Sequence, residues 1–246
     1  MQRSAVRLKR GEVRRRAKGL IVDTWQSQAN LSLFLGLELL IAFVLPSLGF
    51  GQNNVRLYSD MGFSILLLSG IAIAWGRPKL FTIAAVVGGI ALVVRWMAWG
   101  LGSLRAVLWD DAATIVAIAV IALVLLVQIF RAGRVTHVRI QGAIAVYLLF
   151  GVAWAHAYHV VGILHQNAFT APSGELSLPS DWIYFSFVTL TTVGYGDITP
   201  VVPIARTLAI GEALVGQLYL AIMVARLVAM ELVFWQQRVM ENGTNE

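Results

Sequence analysis

The chain has 246 residues, 58% of them hydrophobic and 13% charged, with a formal net charge of +6 and a mean hydropathy of +0.75. That balance excludes a soluble domain and points to a polytopic membrane protein, because apolar runs of the roughly 20 residues needed to cross a bilayer's hydrocarbon core recur along it. Cysteine is absent, which excludes a disulfide framework, a thiolate nucleophile and a cysteine-ligated metal site.

Residues 1–29 form a basic arm carrying Arg3, Arg7, Lys9, Arg10, Arg14, Arg15, Arg16 and Lys18. The positive excess sits beside a membrane span, so anionic lipid headgroups, not nucleic acid, are its expected neighbours. The apolar segment that follows is too long for the core of a signal peptide and lacks a small-residue cleavage site, so the arm is expected to be retained.

Apolar runs predict six hydrophobic helices: 30–50, 61–76 with fraying toward Val55, 80–99, 111–130, 140–164 and 201 to about 235. Between the fifth and sixth, residues 165–200 are too long for a turn and too polar for a span. Counted loop by loop, fourteen Lys and Arg fall on one side against Arg56, Arg105 and Arg206 on the other. Both termini are therefore expected in the cytoplasm, with 165–200 on the outer side. The tail ends soon after the last helix, and no fused ligand-sensing domain is expected.

Within 165–200, the apolar run WIYFSFVTL is followed by TTVGYGD, residues 191–197. Irregular backbone at membrane depth is tolerated only where protein buries it or where it lines a watery cavity. A short helix followed by two glycines around a tyrosine therefore reads as a re-entrant loop. Pro179 with Ser180 or Asp181 gives that helix a start, the side-chain oxygen being free to cap the first amides. Gly194 and Gly196 supply backbone freedom that a residue with a Cβ resists.

The stretch FVTLTTVGYGDITP resembles the potassium channel superfamily, whose selectivity filter TVGYG is matched residue for residue by Thr192, Val193, Gly194, Tyr195 and Gly196. The resemblance covers roughly residues 140–235. It implies an all-α membrane protein of six transmembrane helices, with a re-entrant pore helix and filter loop between helices 5 and 6. It also implies a homotetramer, because four loops must surround one axis, and K+ as the permeant ion, with no cofactor. The carbonyls of Thr192, Val193, Gly194 and Tyr195, with the Thr192 hydroxyl, would hold K+, while the Val193 and Tyr195 side chains point outward. On this reading the chain divides into the arm 1–29, a four-helix domain 30–130, a linker 131–139, a pore domain 140–235 and a tail 236–246.

The resemblance further implies that Asp197 sits behind the filter, bonded to an aromatic donor on the pore helix. Many relatives have tryptophan at that position, whereas this chain has Tyr184, whose phenol can donate the same bond. Val188 occupies a position that some relatives fill with glutamate, so a carboxylate-pair clamp is not available there. Gly216 lies twenty residues beyond Gly196, the spacing of the family's gating hinge. Gly211 is a second candidate, and close packing is the alternative role for a small residue in a membrane helix. With Gly216 as the register marker, Gln217, Leu220, Val224, Val228 and Leu232 form one stripe toward the axis, Leu232 being the constriction at the cytoplasmic end.

Glu212 and Arg226 fall off that stripe. Glu212 is expected to meet the pore helix or the fifth helix, and Arg226 to reach the inner surface. His156, His159 and His165 have no carboxylate or cysteine at ligand spacing, so packing or outer-loop roles are expected. The six-helix layout resembles the voltage-gated branch of the family, whose fourth helix carries arginines at every third position. Here that helix reads AATIVAIAVIALVLLVQIF, and gating by voltage is not expected. Arg95 falls near enough to the outer face to pair with Asp110 or Asp111, or to snorkel. A bridge from Arg95 to Glu38 requires the helix boundaries to shift by a turn. A non-conducting or modulatory subunit and a potassium transporter component are the alternatives, and nothing in the residues points to an enzyme.

Overall fold

The computed structural model describes residues 29–44, 52–74, 77–130, 135–172, 174, 176 and 178–243. The basic arm up to residue 28, Arg131, Arg134 and the last three residues lie outside that set. The elements are helices α1 (Ala29–Val44), α2 (Gln52–Ile73), α3 (Pro78–Leu101), α4 (Leu104–Ile129) and α5 (His137–Leu164), strand β1 (Phe169–Thr170), helix α6 (Pro179–Leu190), strand β2 (Thr199–Pro200) and helix α7 (Pro203–Gly243). The last turn of α1, Leu40–Val44, is wound as a π-helix.

Local chemistry explains several boundaries. Pro78, Pro179 and Pro203 each open a helix, where the missing N–H costs nothing and the fixed φ is already helical. Between α3 and α4 the chain turns on two residues. Gly102, at φ 56°, donates its N–H to the Ala98 carbonyl and closes α3, while the Ser103 hydroxyl accepts the Ala106 N–H and opens α4. So short a connection makes the two helices antiparallel neighbours.

Six spans are expected from the sequence, and α3, α4, α5 and α7 are long and apolar enough to cross a membrane. Helix α1 and the Leu57–Ile73 part of α2 are shorter apolar helices. The described length of α1 rises only about 24 Å at 1.5 Å per residue, against a hydrocarbon core of about 30 Å. Helix α2 starts among the polar residues Gln52, Asn53, Asn54 and Arg56.

One apolar core runs through the molecule, joining Phe34 of α1, Leu66 and Leu67 of α2, Ile118 and Leu125 of α4, Leu149 of α5 and Leu190 of α6. Helix α4 lies between α3 and α5, and α5 carries both α6 and α7. Helix α1 reaches the same region, with the Phe43 ring 5.0 Å from that of Phe187 on α6. On α3, Ile83, Val86, Ile90, Val93 and Met97 form an exposed apolar stripe at helical spacing, which in hydrocarbon has no penalty. The chain is an integral membrane protein. Strands β1 and β2, which the sequence reading does not anticipate, pair antiparallel as Phe169 with Pro200 and Thr170 with Thr199. They tie the segment before α6 to the segment after TVGYG.

Candidate functional site

Helix α6 is the platform of the site. Its N-cap is Leu178 and its first residue Pro179. The expected capping runs the other way: the Asp181 carboxylate accepts the Leu178 N–H at 3.1 Å, because Asp181 is the third helical residue and can only reach back. The helix covers 12 residues, with Trp182, Ile183, Phe185, Ser186, Phe187 and Leu190 buried.

Past Leu190 the backbone alternates. Thr192, Gly194 and Gly196 have φ of 60°, 59° and 78°, whereas Val193 and Tyr195 between them do not take positive φ. Alternating hand turns successive peptide planes so that carbonyls can share one side of the strand. The glycines meet this demand at no steric cost, but Thr192 does so against its Cβ, at about 1–2 kcal/mol. From sequence the freedom is expected of the glycines alone, and Thr192 shares it in the structure. The Val193 and Gly194 N–H groups both donate to the Val188 carbonyl, at 3.0 and 3.3 Å, and the Thr192 N–H to that of Thr189 at 2.9 Å. The amides are thus taken up by the end of α6. In the single chain Val193 and Tyr195 are exposed, Tyr195 at 71%.

Beyond the segment, the Tyr184 hydroxyl donates to Asp197 Oδ2 at 2.7 Å, and Asp197 Oδ1 accepts the Ile198 N–H at 3.0 Å. The Tyr184 hydroxyl holds the Asp197 carboxyl below the usual carboxylate range.

Helix α7 meets this platform on one face. The Gln217 amide donates to the Thr192 hydroxyl at 3.2 Å. Gly216 is buried, and a Cβ there would strike the Leu190 carbonyl, so the close approach of the two helices itself requires glycine. Glu212 is fully buried and accepts from Ser186 on α6 and Tyr158 on α5, both at 2.5 Å. It therefore touches both helices that the sequence offers as its partners. The Ser186 oxygen also lies 2.6 Å from the Gly151 carbonyl of α5, so its single hydroxyl hydrogen is shared between that carbonyl and Glu212, and nothing in the local sequence marks Ser186 or Tyr158 for this role. Leu220, Val224, Val228 and Leu232 are exposed along α7. Arg226 stacks over Phe130 at 5.7 Å.

A second polar group lies where α2, α3, α4 and α5 meet. Arg95 bonds Asp110 at 3.1 Å and the Thr114 hydroxyl at 2.9 Å, one of the pairings expected for it. Asp111 is held instead by His156 and His159. The histidines lack a carboxylate in sequence, but α4 supplies one in space. Glu38 is buried and finds no hydrogen-bond partner among the described residues, so the bridge from Arg95 to Glu38 does not form.

Residues 143–231, from α5 through most of α7, match the family described as Ion channel. Protein LctB of Bacillus caldotenax is 39% identical over 87 residues, 33% of this chain and 64% of that protein. Two pore potassium channel c of Oryza sativa subsp. japonica is 36% identical over 77 residues, 30% of this chain and 17% of that protein. Inward rectifier potassium channel Kirbac3.1 of Paramagnetospirillum magnetotacticum is 38% identical over 76 residues, covering 31% and 24% of the two chains. The chain thus covers less than two thirds of the length of these relatives. No solved structure matches the chain. Over this segment the chain is similar to an ion channel family and to two potassium channels.

Proposed function

We propose that the chain is the subunit of a potassium-selective channel that conducts K+ passively through a pore made by four copies. The observation that carries this reading is the backbone of Thr192 to Gly196, with positive φ at every second residue and the Val193 and Gly194 amides turned back to Val188. Such a strand leaves its carbonyls for an ion. Four strands around an axis make rings of oxygens from Thr192, Val193, Gly194 and Tyr195 that replace the hydration shell of K+. Helix α6 is then the pore helix, its carbonyl end adding negative potential below the filter. Tyr184 and Asp197 brace the filter from behind, and Glu212, through Ser186 and Tyr158, locks α6 to α5 and α7. Gln217 supports the Thr192 hydroxyl, and Leu220, Val224, Val228 and Leu232 line the cavity and inner gate. Gly216 combines its packing against Leu190 with a hinge role.

On the same reading α1 and α2 also cross the membrane, giving six spans with both termini in the cytoplasm of a cell's plasma membrane. Residues 30–130 form a domain beside the pore domain 140–235, joined by the linker 131–139. The basic arm rests on anionic lipid. Liposomes containing the purified chain are expected to pass K+ and to stop when Na+ replaces it. Gly196→Ala is expected to insert normally and lose potassium preference, and unchanged selectivity in that variant would overturn the filter assignment.

A further inference from the structure

Asp111 joins the two halves of the chain. It is 3% exposed on α4, and each of its oxygens faces a different imidazole of α5, Oδ1 facing His156 Nδ1 at 2.7 Å and Oδ2 facing His159 Nδ1 at 2.8 Å. The cluster borders an open-sided cavity of about 600 Å³ lined by α2, α3, α4, α5 and the start of α6. The other charged groups lining it are Asp60 on α2, Arg95 on α3 and Asp110 on α4. Arg95 is paired with Asp110 at 3.1 Å and Asp60 at 3.9 Å. From α6, Asp181 is engaged with the Leu178 N–H, and Trp182 packs on the His159 ring at 5.7 Å. Phe63 separates the two charge groups, 5.0 Å from the Arg95 guanidinium and 5.3 Å from the His156 ring.

Three carboxylates, Asp60, Asp110 and Asp111, face one fixed cation, Arg95. With neutral imidazoles two negative charges stay uncompensated in a partly buried junction, which is costly. Two protons, one on each histidine, bring the cluster to neutrality. Imidazole is the side chain that takes up protons between about pH 5 and 8. Either ring can donate its Nδ1–H while neutral, but only a protonated ring contributes charge. Protonation therefore adds a charge–charge attraction to contacts that the neutral rings already make. A metal reading is not supported, since both Nδ1 atoms face the carboxylate and no group of three or more His, Cys, Asp or Glu side chains is arranged to hold a metal ion among the described residues.

We infer that Asp111, His156 and His159 form a proton-binding site that clamps the first four helices to the pore-forming half, so that proton uptake at the junction regulates conduction. Its regulatory part rests on the channel reading above. Trp182 lies in the first turn of α6 against His159, and the fit is tight, a Cβ at Gly162 of α5 having only 2.5 Å to the Trp182 ring. A change in the clamp therefore reaches the helix that carries the TVGYG segment.

The test uses the full chain in liposomes at about pH 6 and pH 8, on either side of the usual imidazole pKa. Two quantities are read: hydrogen exchange in α4 and α5, corrected for intrinsic rate, and K+ flux. The wild type is expected to exchange more slowly near Asp111 at the lower pH. Its flux is expected to change about tenfold, the effect of one pKa unit of coupling between proton binding and opening. His156→Gln with His159→Gln keeps side-chain volume and is expected to abolish both dependences while conducting at pH 8. Asp111→Asn, a second variant of unchanged size, is expected to do the same. Wild-type pH dependence of exchange persisting in either variant would overturn the site. A wild type that passes no K+ at either pH would refute the channel reading, and with it the regulatory part, while the exchange comparison still decides whether protons bind there.

Discussion

The Tyr184 hydroxyl and Asp197 carboxylate, 2.7 Å apart, connect the middle of α6 to the residue that leaves the TVGYG segment. Tyr184→Phe removes only that bond, and patch recordings should show faster current decay at steady voltage with ion preference retained. The carboxyl's affinity for protons is lowered by the same hydroxyl. The contact therefore contributes above the ordinary carboxylate value of about 3.9 and is lost as pH falls through the lowered one. Acid-induced decay should begin at higher pH in the phenylalanine variant, and identical acid profiles would remove this contact from the account. Deeper in, Ser186→Ala leaves a buried Glu212 oxygen with one partner fewer. Losses of that kind run to about 1–3 kcal/mol, and Ser186→Ala and Tyr158→Phe should be non-additive in a tetramer-melting cycle because both meet one carboxylate. Tyr184 and Asp197 were legible because they fall within a recognisable motif. Ser186 and Tyr158 were not, since a lone serine or tyrosine in an apolar helix does not tell which neighbouring helix it will face. The His156 and His159 contacts with Asp111 were hidden for the same reason, their partner lying 45 and 48 residues away in sequence.

At the level of elements, Gly216 marks where α7 crosses the end of α6. Gly216→Ala would push a methyl group into the Leu190 carbonyl, an overpacking of the kind that costs about 1–3 kcal/mol. Because Leu190 lies immediately before the TVGYG segment, the variant should lower potassium preference and tetramer stability together. A purely hinge-like role would instead alter opening and leave selectivity and melting unchanged, so measuring all three separates the readings. The long helices α3, α4, α5 and α7 could be read from apolar run length, which is what a bilayer demands of a span. Strands β1 and β2 could not, for two-residue strands carry no period, and their pairing depends on bringing Thr170 and Thr199 to the same place. Helix α1 is shorter in its described residues than the apolar run that suggested it, and that run continues past Val44 outside the described set.

At the scale of the whole molecule, the described residues of α3 and α4 offer little charge that could move with voltage. Moving one elementary charge through the membrane field is worth about 2.3 kcal/mol per 100 mV. Helix α4 has no lysine or arginine after Arg105 in its first turn, and Arg95 is 2% exposed and bonded to Asp110 and Thr114. Open probability should vary only weakly with voltage, and a steep dependence abolished by neutralising Arg95 would contradict this. On the proposed reading the four-helix half serves as a scaffold or as a sensor of another stimulus. The central claim is that four TVGYG segments form a potassium-selective path. Its most direct test is the reversal potential of the purified chain in a planar bilayer, with K+ on one side and Na+ on the other. The account predicts a reversal potential strongly displaced in the direction that marks K+ as the permeant ion, and a reversal near zero, or no current at all, would contradict it.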